Sequence, residues 1–216
     1  LEAVDLMGQT PDRAIDLFDI MAVLDSYQDI PYPDPMPCAM FAASPRLSTG
    51  LSQGLMASNL QLRVQPSQPI VPAGSTFTAD VFLSGSTQLR AYQLSLKVAG
   101  GAAGAIIIED VTINPSNPAY VFTGLNTFNA TNSALSRIAN ALPAGAVNTG
   151  VTGYLATVRL RASVAARGTF RIELQQNGTT TLLDSAGDVI DGWTLQPGQE
   201  QVSNLQKQNQ TPSQRD

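Results

Sequence analysis

From Leu60 onward, apolar residues recur at every second position, the rhythm of strands that bury one face. Leu60, Leu62 and Val64 alternate with Gln61 and Arg63. Pro66, Pro69 and Pro72 punctuate the chain, and Ala73–Gly74 supplies a turn. Phe77, Ala79, Val81 and Leu83 alternate with Thr78, Asp80 and Phe82, and Gly85 ends that run. Tyr92, Leu94, Leu96 and Val98 alternate with Gln93, Ser95 and Lys97. Gly100, Gly101 and Gly104 then break the chain before Ala105–Ile108. The three consecutive isoleucines there predict a strand buried on both sides, or one entering the core.

Residues 114–152 are less regular, with short apolar pieces at Tyr120–Phe122 and Leu135–Ile138. Ser133–Ala141 fits a short helix as well as a strand. A hairpin is predicted next. Tyr154, Ala156, Val158, Leu160 and Ala162 face one way, Ala165–Gly168 turns the chain, and Phe170, Ile172 and Leu174 face inward. In that arrangement Arg159 and Arg161 pair with Glu173 across the strands. Further strands at Thr180–Leu183 and near Val189 bring the total to roughly nine, with turn signals about every eight to twelve residues, the pattern of a β-sandwich.

Ahead of this body the period changes. Phe18, Met21 and Leu24 recur at helical spacing between Asp16, Asp19 and Asp25. Asp16 and Asp19 suit a helix N-terminus, as caps and as charges that complement the helix dipole. Pro31, Pro33, Pro35 and Pro37 end the helix and stiffen an extended strap to Cys38. The organisation read from these patterns is a helical segment over 1–40, a Ser-, Gly- and Ala-rich linker over 41–58, a sandwich over 59–195, and a polar tail over 196–216 expected to be disordered. The apolar face of the helix near Asp16–Tyr27 is too small to fold alone, so it is expected to pack against the sandwich.

Charged residues make up only 13% of the chain, about half the usual share. Thr, Ser, Asn, Gln and Gly fill the polar positions instead, a composition that suits extracellular or cell-surface β-proteins. The net charge of −5 and the scattered basic residues argue against nucleic acid. No apolar run is long enough to span a bilayer. With no histidine in the chain, Ser–His–Asp and Cys–His catalysis are excluded, as are His-based zinc sites. Cys38 is the lone cysteine, either a free thiol or one whose partner lies outside this chain.

Several stretches resemble the cohesin family. Leu60–Leu83, centred on Val71-Pro72-Ala73-Gly74-Ser75-Thr76-Phe77, is similar to the opening strands of that family, and Tyr92–Val98 to its next strand. Tyr154–Leu160 with Gly168–Ile172 resembles the late strands, and Asp184–Ile190 the closing turn and strand. The resemblance covers about 130 residues, and cellulose-binding modules share much of it. It implies a mainly β fold, an antiparallel sandwich with jelly-roll topology. It also implies a non-catalytic module that docks a dockerin-type protein partner through one sheet face.

Asp12–Leu24 is similar to the second half of a dockerin-type repeat, which implies calcium ligands at Asp12, Asp16 and Asp19. The loop is degenerate: its first ligand position falls on Gly8, its third on Thr10 and its glycine on Arg13, whereas calcium needs several oxygens on a sharply turning loop. The competing reading is that these aspartates cap a helix. Together the two resemblances are similar to large surface proteins of environmental bacteria.

Paired carboxylates are the only catalytic chemistry left. Glu109 and Asp110, Glu173, and Asp184, Asp188 and Asp191 each have a structural explanation as strand, cross-strand or turn residues, so the chain is read as a non-enzyme. Two alternatives to protein docking are a carbohydrate-binding module in polysaccharide breakdown and a structural spacer. Tyr120 and Trp193 are the candidate sugar or partner contacts, because Tyr92 and Tyr154 lie in the apolar phase of their strands. A row of exposed aromatics would favour sugar, and a flat mixed apolar and polar patch would favour a protein.

Overall fold

The structure is a computed structural model that describes residues 60–85, 87–132, 136–150, 152–176 and 179–203. Among the described residues, all regular structure is strand. The chain forms β1 (Gln61–Pro66), β2 (Ile70–Pro72), β3 (Thr76–Ser84), β4 (Gln88–Leu89), β5 (Ala91–Gly100), β6 (Ile106–Thr112) and β7 (Phe128–Asn132). It continues with β8 (Arg137–Ala141), β9 (Val147–Asn148), β10 (Thr152–Ala162), β11 (Gly168–Leu174), β12 (Thr181–Leu183), β13 (Thr194–Gln196) and β14 (Gly198–Ser203).

Two sheets carry the body. The smaller has the order β13-β1-β3-β10-β6. The larger runs β2-β14-β11-β5-β8-β7, with β12 joined to the same β5. Strands close in sequence are dealt alternately to the two sheets, which gives the sandwich its jelly-roll connections. The fold class expected from the sequence is therefore the one found.

The alternating residues close the interior. Leu62, Val81, Leu83, Val158 and Leu160 come from the smaller sheet, and Tyr92, Leu94, Ile172 and Leu182 from the larger; all are fully buried. Tyr92 fills the core as expected, and its hydroxyl donates to the Leu155 carbonyl at 2.7 Å; Tyr154 is buried too, but an irregularity in β10 between Tyr154 and Ala156 sets it opposite Phe82 and out of phase with Ala156, Val158 and Leu160. Phe122, on the turn that follows β6, stacks on Tyr92 with centroids 5.8 Å apart.

Five expectations are corrected. β10 and β11 do not form a hairpin: β10 pairs with β3 and β6, while β11 pairs with β14 and β5 in the other sheet. The segment after Ala162 is too long for a tight turn and carries the chain across the sandwich. It packs against the β5–β6 connection, where Arg167 donates its N–H to the Ala103 carbonyl at 2.9 Å. Arg159 and Arg161 consequently meet Glu109 on β6, not Glu173.

The triple-isoleucine strand is not buried on both sides. It forms β6 at the edge of the smaller sheet, with Ile106 buried and Ile107 half exposed. Ser133–Ala141 resolves as strand over the described part, β8. The polar tail does not begin at 196, because Gly198–Ser203 is a paired strand of the larger sheet. Val189 makes a single bridge to Leu183 rather than a strand of its own. The predicted helix, the proline strap, Cys38 and the linker lie outside the described residues.

Candidate docking face

Residues directly opposite one another in paired strands share a face. In the larger sheet the registers Lys97↔Glu173, Ala99↔Arg171, Ser95↔Arg137, Gln93↔Ala139 and Ala139↔Ala130 therefore define one outward surface. It crosses β11, β5, β8 and β7, turned away from Leu94, Leu96, Ile138 and Ile172 on the core side. Phe128 joins it at the open edge, opposite Ala141, and is 50% exposed. Four strands about 4.8 Å apart and roughly 20 Å long make a surface of about 400 Å², the share one partner contributes to a small, transient interface.

The charges on this face are mostly basic. The Glu173 carboxylate lies between two cations, Lys97 Nζ at 3.4 Å and Arg171 Nε at 3.1 Å. Glu173 neutralises one of them, and Arg137 adds a further positive charge beside Ser95. Ala130 and Phe128 supply the exposed apolar part, while Gln93, Ser95 and Ala139 on the same side are buried. The result is a mixed patch with a single exposed aromatic ring.

The opposite outward face, on the smaller sheet, pairs its carboxylates Glu109 and Asp80 within itself, although the buried Arg63 Nε has no hydrogen-bond partner. Glu109 takes Arg161 Nε at 2.8 Å and Arg159 Nε at 3.4 Å. Thr157 donates to Asp80 at 2.6 Å, and Arg63 lies over the Phe82 ring at 5.4 Å. Arg63, Arg159 and Arg161 balance Asp80, Glu109 and Asp110, so the face carries no net charge. A groove of ≈430 Å³ lined by Arg63, Val64, Pro66, Gln196 and Gly198 lies beside it and gathers no acid–base pair.

The structure separates the residues singled out from sequence. Tyr120 is not a surface contact: it is 4% exposed, bonds Asn140 and packs edge-on against Phe122 and Tyr154. The turn after β6 folds inward because Phe122 enters the core and draws Tyr120 with it. Burial raises the Tyr120 and Tyr154 hydroxyls above their ordinary value of 10, and Tyr92 further still.

Trp193 is half-buried and packed against the core. Asp184 shapes its turn by accepting from the N–H groups of Ala186 and Asp188. Asp12, Asp16 and Asp19 lie outside the described residues, so the calcium loop does too. Among the described residues no three acidic or cysteine side chains converge to hold a metal, and no helix is long and apolar enough to cross a membrane.

Sequence reasoning placed Gln93, Ser95, Lys97, Arg171 and Glu173 in the polar phase of their strands without joining them into a face. It passed over Arg137, Ala139 and Phe128, because β7 and β8 lack a clean alternation.

No known family profile matches the chain, and no curated protein matches it. Among solved structures it is similar in fold to a non-cellulosomal cohesin from the hyperthermophilic archaeon Archaeoglobus fulgidus, with 15% identity and a TM-score of 0.44 over 68% of this chain and 94% of that one. It is also similar to the seventh ScaB type I cohesin from Pseudobacteroides cellulosolvens, at 14% identity, TM-score 0.45, and 72% and 97% coverage. A third is the sixth cohesin of Acetivibrio cellulolyticus scaffoldin B, solved in complex with a Cel5 dockerin, at 18% identity, TM-score 0.41, and 67% and 99% coverage.

Proposed function

We propose that this chain is an extracellular, non-catalytic binding module that docks a protein partner on the outer face of its larger sheet. The observation that carries the reading is the make-up of that face. It is broad, joins apolar residues to Lys97, Arg137 and Arg171, and has one exposed ring, Phe128. Sugar platforms stack several aromatic rings in a plane; here Tyr120 is buried and Trp193 is half-buried against the core. A spacer needs no unbalanced face at all, and the opposite sheet shows what a balanced one looks like. The cohesin resemblance in the sequence points the same way, with a dockerin-type module as the partner class.

The test is capture from the source organism's secreted fraction on the immobilised full chain, with a polysaccharide panel run in parallel. A protein held by the wild type should be lost from the Lys97→Glu/Arg171→Glu double variant and kept by Arg159→Gln on the opposite face. Retention of a polysaccharide instead, or capture indifferent to both faces, overturns the proposal.

A further inference from the structure

Each of the two large sheets ends in two edge strands, and an edge strand offers unpaired main-chain groups to any extended chain that meets it. Three of these edges are guarded. β13 is three residues long and runs into Pro197. β2 is three residues long, follows Pro69 and ends on Pro72. β6 carries Glu109 and Asp110, and its register shifts against β10. β7 has none of these devices. It reads Phe128-Asn129-Ala130-Thr131-Asn132, with no charge, no proline and an unbroken register to β8, and all five residues are exposed.

The ladder shows which main-chain groups of β7 are open. The Leu96 N–H donates to the Ser136 carbonyl at 3.0 Å, one step beyond the pair Ser95↔Arg137. The N–H and C=O of one strand residue point to the same side, and the side alternates along the strand. On β8, Ile138 and Asn140 therefore turn theirs to β5, while Arg137, Ala139 and Ala141 turn theirs to β7. On β7, Phe128, Ala130 and Asn132 are then the residues bonded to β8. Asn129 and Thr131 turn their N–H and C=O to the open edge, where no strand among the described residues pairs with them.

We propose that β7 is a self-association edge: two copies of this chain pair their β7 strands antiparallel about a twofold axis at Ala130. The open groups fit this register. Asn129 of each copy falls opposite Thr131 of the other, and each such pair exchanges N–H to C=O hydrogen bonds. At the axis the two Ala130 residues meet in the close, non-hydrogen-bonded kind of pair, which small side chains suit. Phe128 falls opposite Asn132 on the outer side and Asn129 opposite Thr131 on the inner side, so no like charges meet. This match of β7 to its own reverse favours a second copy over a foreign strand. The axis stands perpendicular to the sheet, which leaves both outer faces on the same side. Two docking faces of about 400 Å² become one of about 800 Å², the share one partner gives to a standard specific interface. The proposal concerns the edge of the sheet and does not rest on the docking reading of its face.

Sedimentation of the full chain over a wide range of concentration tests it. The average mass should rise from one chain to two and stop there, with the weak affinity of a contact below standard size. Thr131→Pro removes an N–H that the ladder to β8 does not use, and edge strands tolerate proline. It should weaken the dimer at least about tenfold and leave thermal melting of the chain unchanged. Ala130→Lys sets two like charges across the axis and should weaken the dimer as much, with recovery in high salt. Because Ala130 is exposed, this variant decides the matter even if Thr131→Pro fails to fold. Ile107→Lys, on the edge of the smaller sheet, should keep the dimer. Lys97→Glu/Arg171→Glu should keep it too, so failure of the docking reading and failure of this proposal show separately. A chain that stays monomeric at every concentration overturns the proposal, as does growth beyond two copies or a dimer indifferent to both β7 variants.

Discussion

Glu200 should make this fold more stable in mild acid than at neutral pH, and Glu200→Gln should remove that dependence. On β14 the side chain points inward, opposite Phe170, at 0% exposure. Neither carboxylate oxygen has a hydrogen-bond partner. Burial raises the carboxyl from its ordinary 4.5 to about 7, with the nearby backbone amide of Gln201 pulling the other way. A group whose folded value lies above its unfolded value supports the fold fully below the unfolded value. That support is lost as pH rises through the folded one.

The window is thus about pH 4.5 to 7, and the full difference corresponds to about 3 kcal/mol. Within β14, Glu200 is flanked by the exposed Gln199 and Gln201, so a small displacement brings water to the charge. An observed loss of about 1–3 kcal/mol is the expectation once that relaxation is allowed. Urea unfolding of the full chain at pH 4.5, 6, 7 and 8 measures it. Glu200→Gln should match the wild type at pH 4.5 and exceed it by about 1–3 kcal/mol at pH 8. A gap between the two proteins that stays constant with pH would refute the reasoning.

Three further outcomes follow from the core and the connections. Tyr92→Phe should cost about 1–2 kcal/mol in urea unfolding, because it orphans the buried Leu155 carbonyl that the hydroxyl reaches at 2.7 Å. Gly104→Ala should cost more than about 2 kcal/mol or abolish folding, read by thermal melting. Its φ is +66°, and a Cβ there would lie 2.4 Å from the Ala166 nitrogen, where the two inter-sheet connections touch. Glu109→Gln should change stability by less than about 1 kcal/mol, since Arg159 and Arg161 are more than half exposed, and the small effect should fade further in high salt.

The sequence was legible where a strand buries one face with ordinary apolar residues. Leu62 and Val64 on β1, Phe77 to Leu83 on β3, and Tyr92 to Val98 on β5 all kept the phase their alternation announced. A period of two states which side chains point inward; it is silent on which strand lies alongside. For that reason the run before Ala165 and the run after it read as a hairpin, when their chain crosses between sheets and pairs elsewhere. The docking face suffered the same loss. Lys97, Arg171 and Glu173 were visible as polar positions, but only the β5–β11 and β5–β8 registers bring them beside Arg137. Phe128 and Ala139 were hidden because β7 is exposed throughout and β8 is buried at four of its five residues, so neither alternates.

β14 was missed for a different reason, and the reason has a consequence. Its inward positions are Gly198, Glu200 and Val202, so a single apolar residue marks the strand, and the run reads as the start of a polar tail. What holds it is main-chain pairing to β11 and β2 together with the small size of Gly198, whose Cβ position lies 3.1 Å from Val64 and Pro66. A strand kept in place by its ladder, with a carboxyl where a hydrophobe would normally sit, adds little burial energy and carries a cost that grows with ionisation. The residue that conceals this strand in the sequence is therefore the one that makes its attachment pH-dependent. If β14 is the weakest part of the larger sheet, its amides should lose hydrogen-exchange protection between pH 6 and 8 beyond the ordinary chemical rate increase, while those of β3 and β10 do not. Equal loss across both sheets would place the pH sensitivity in the whole sandwich and not in this strand.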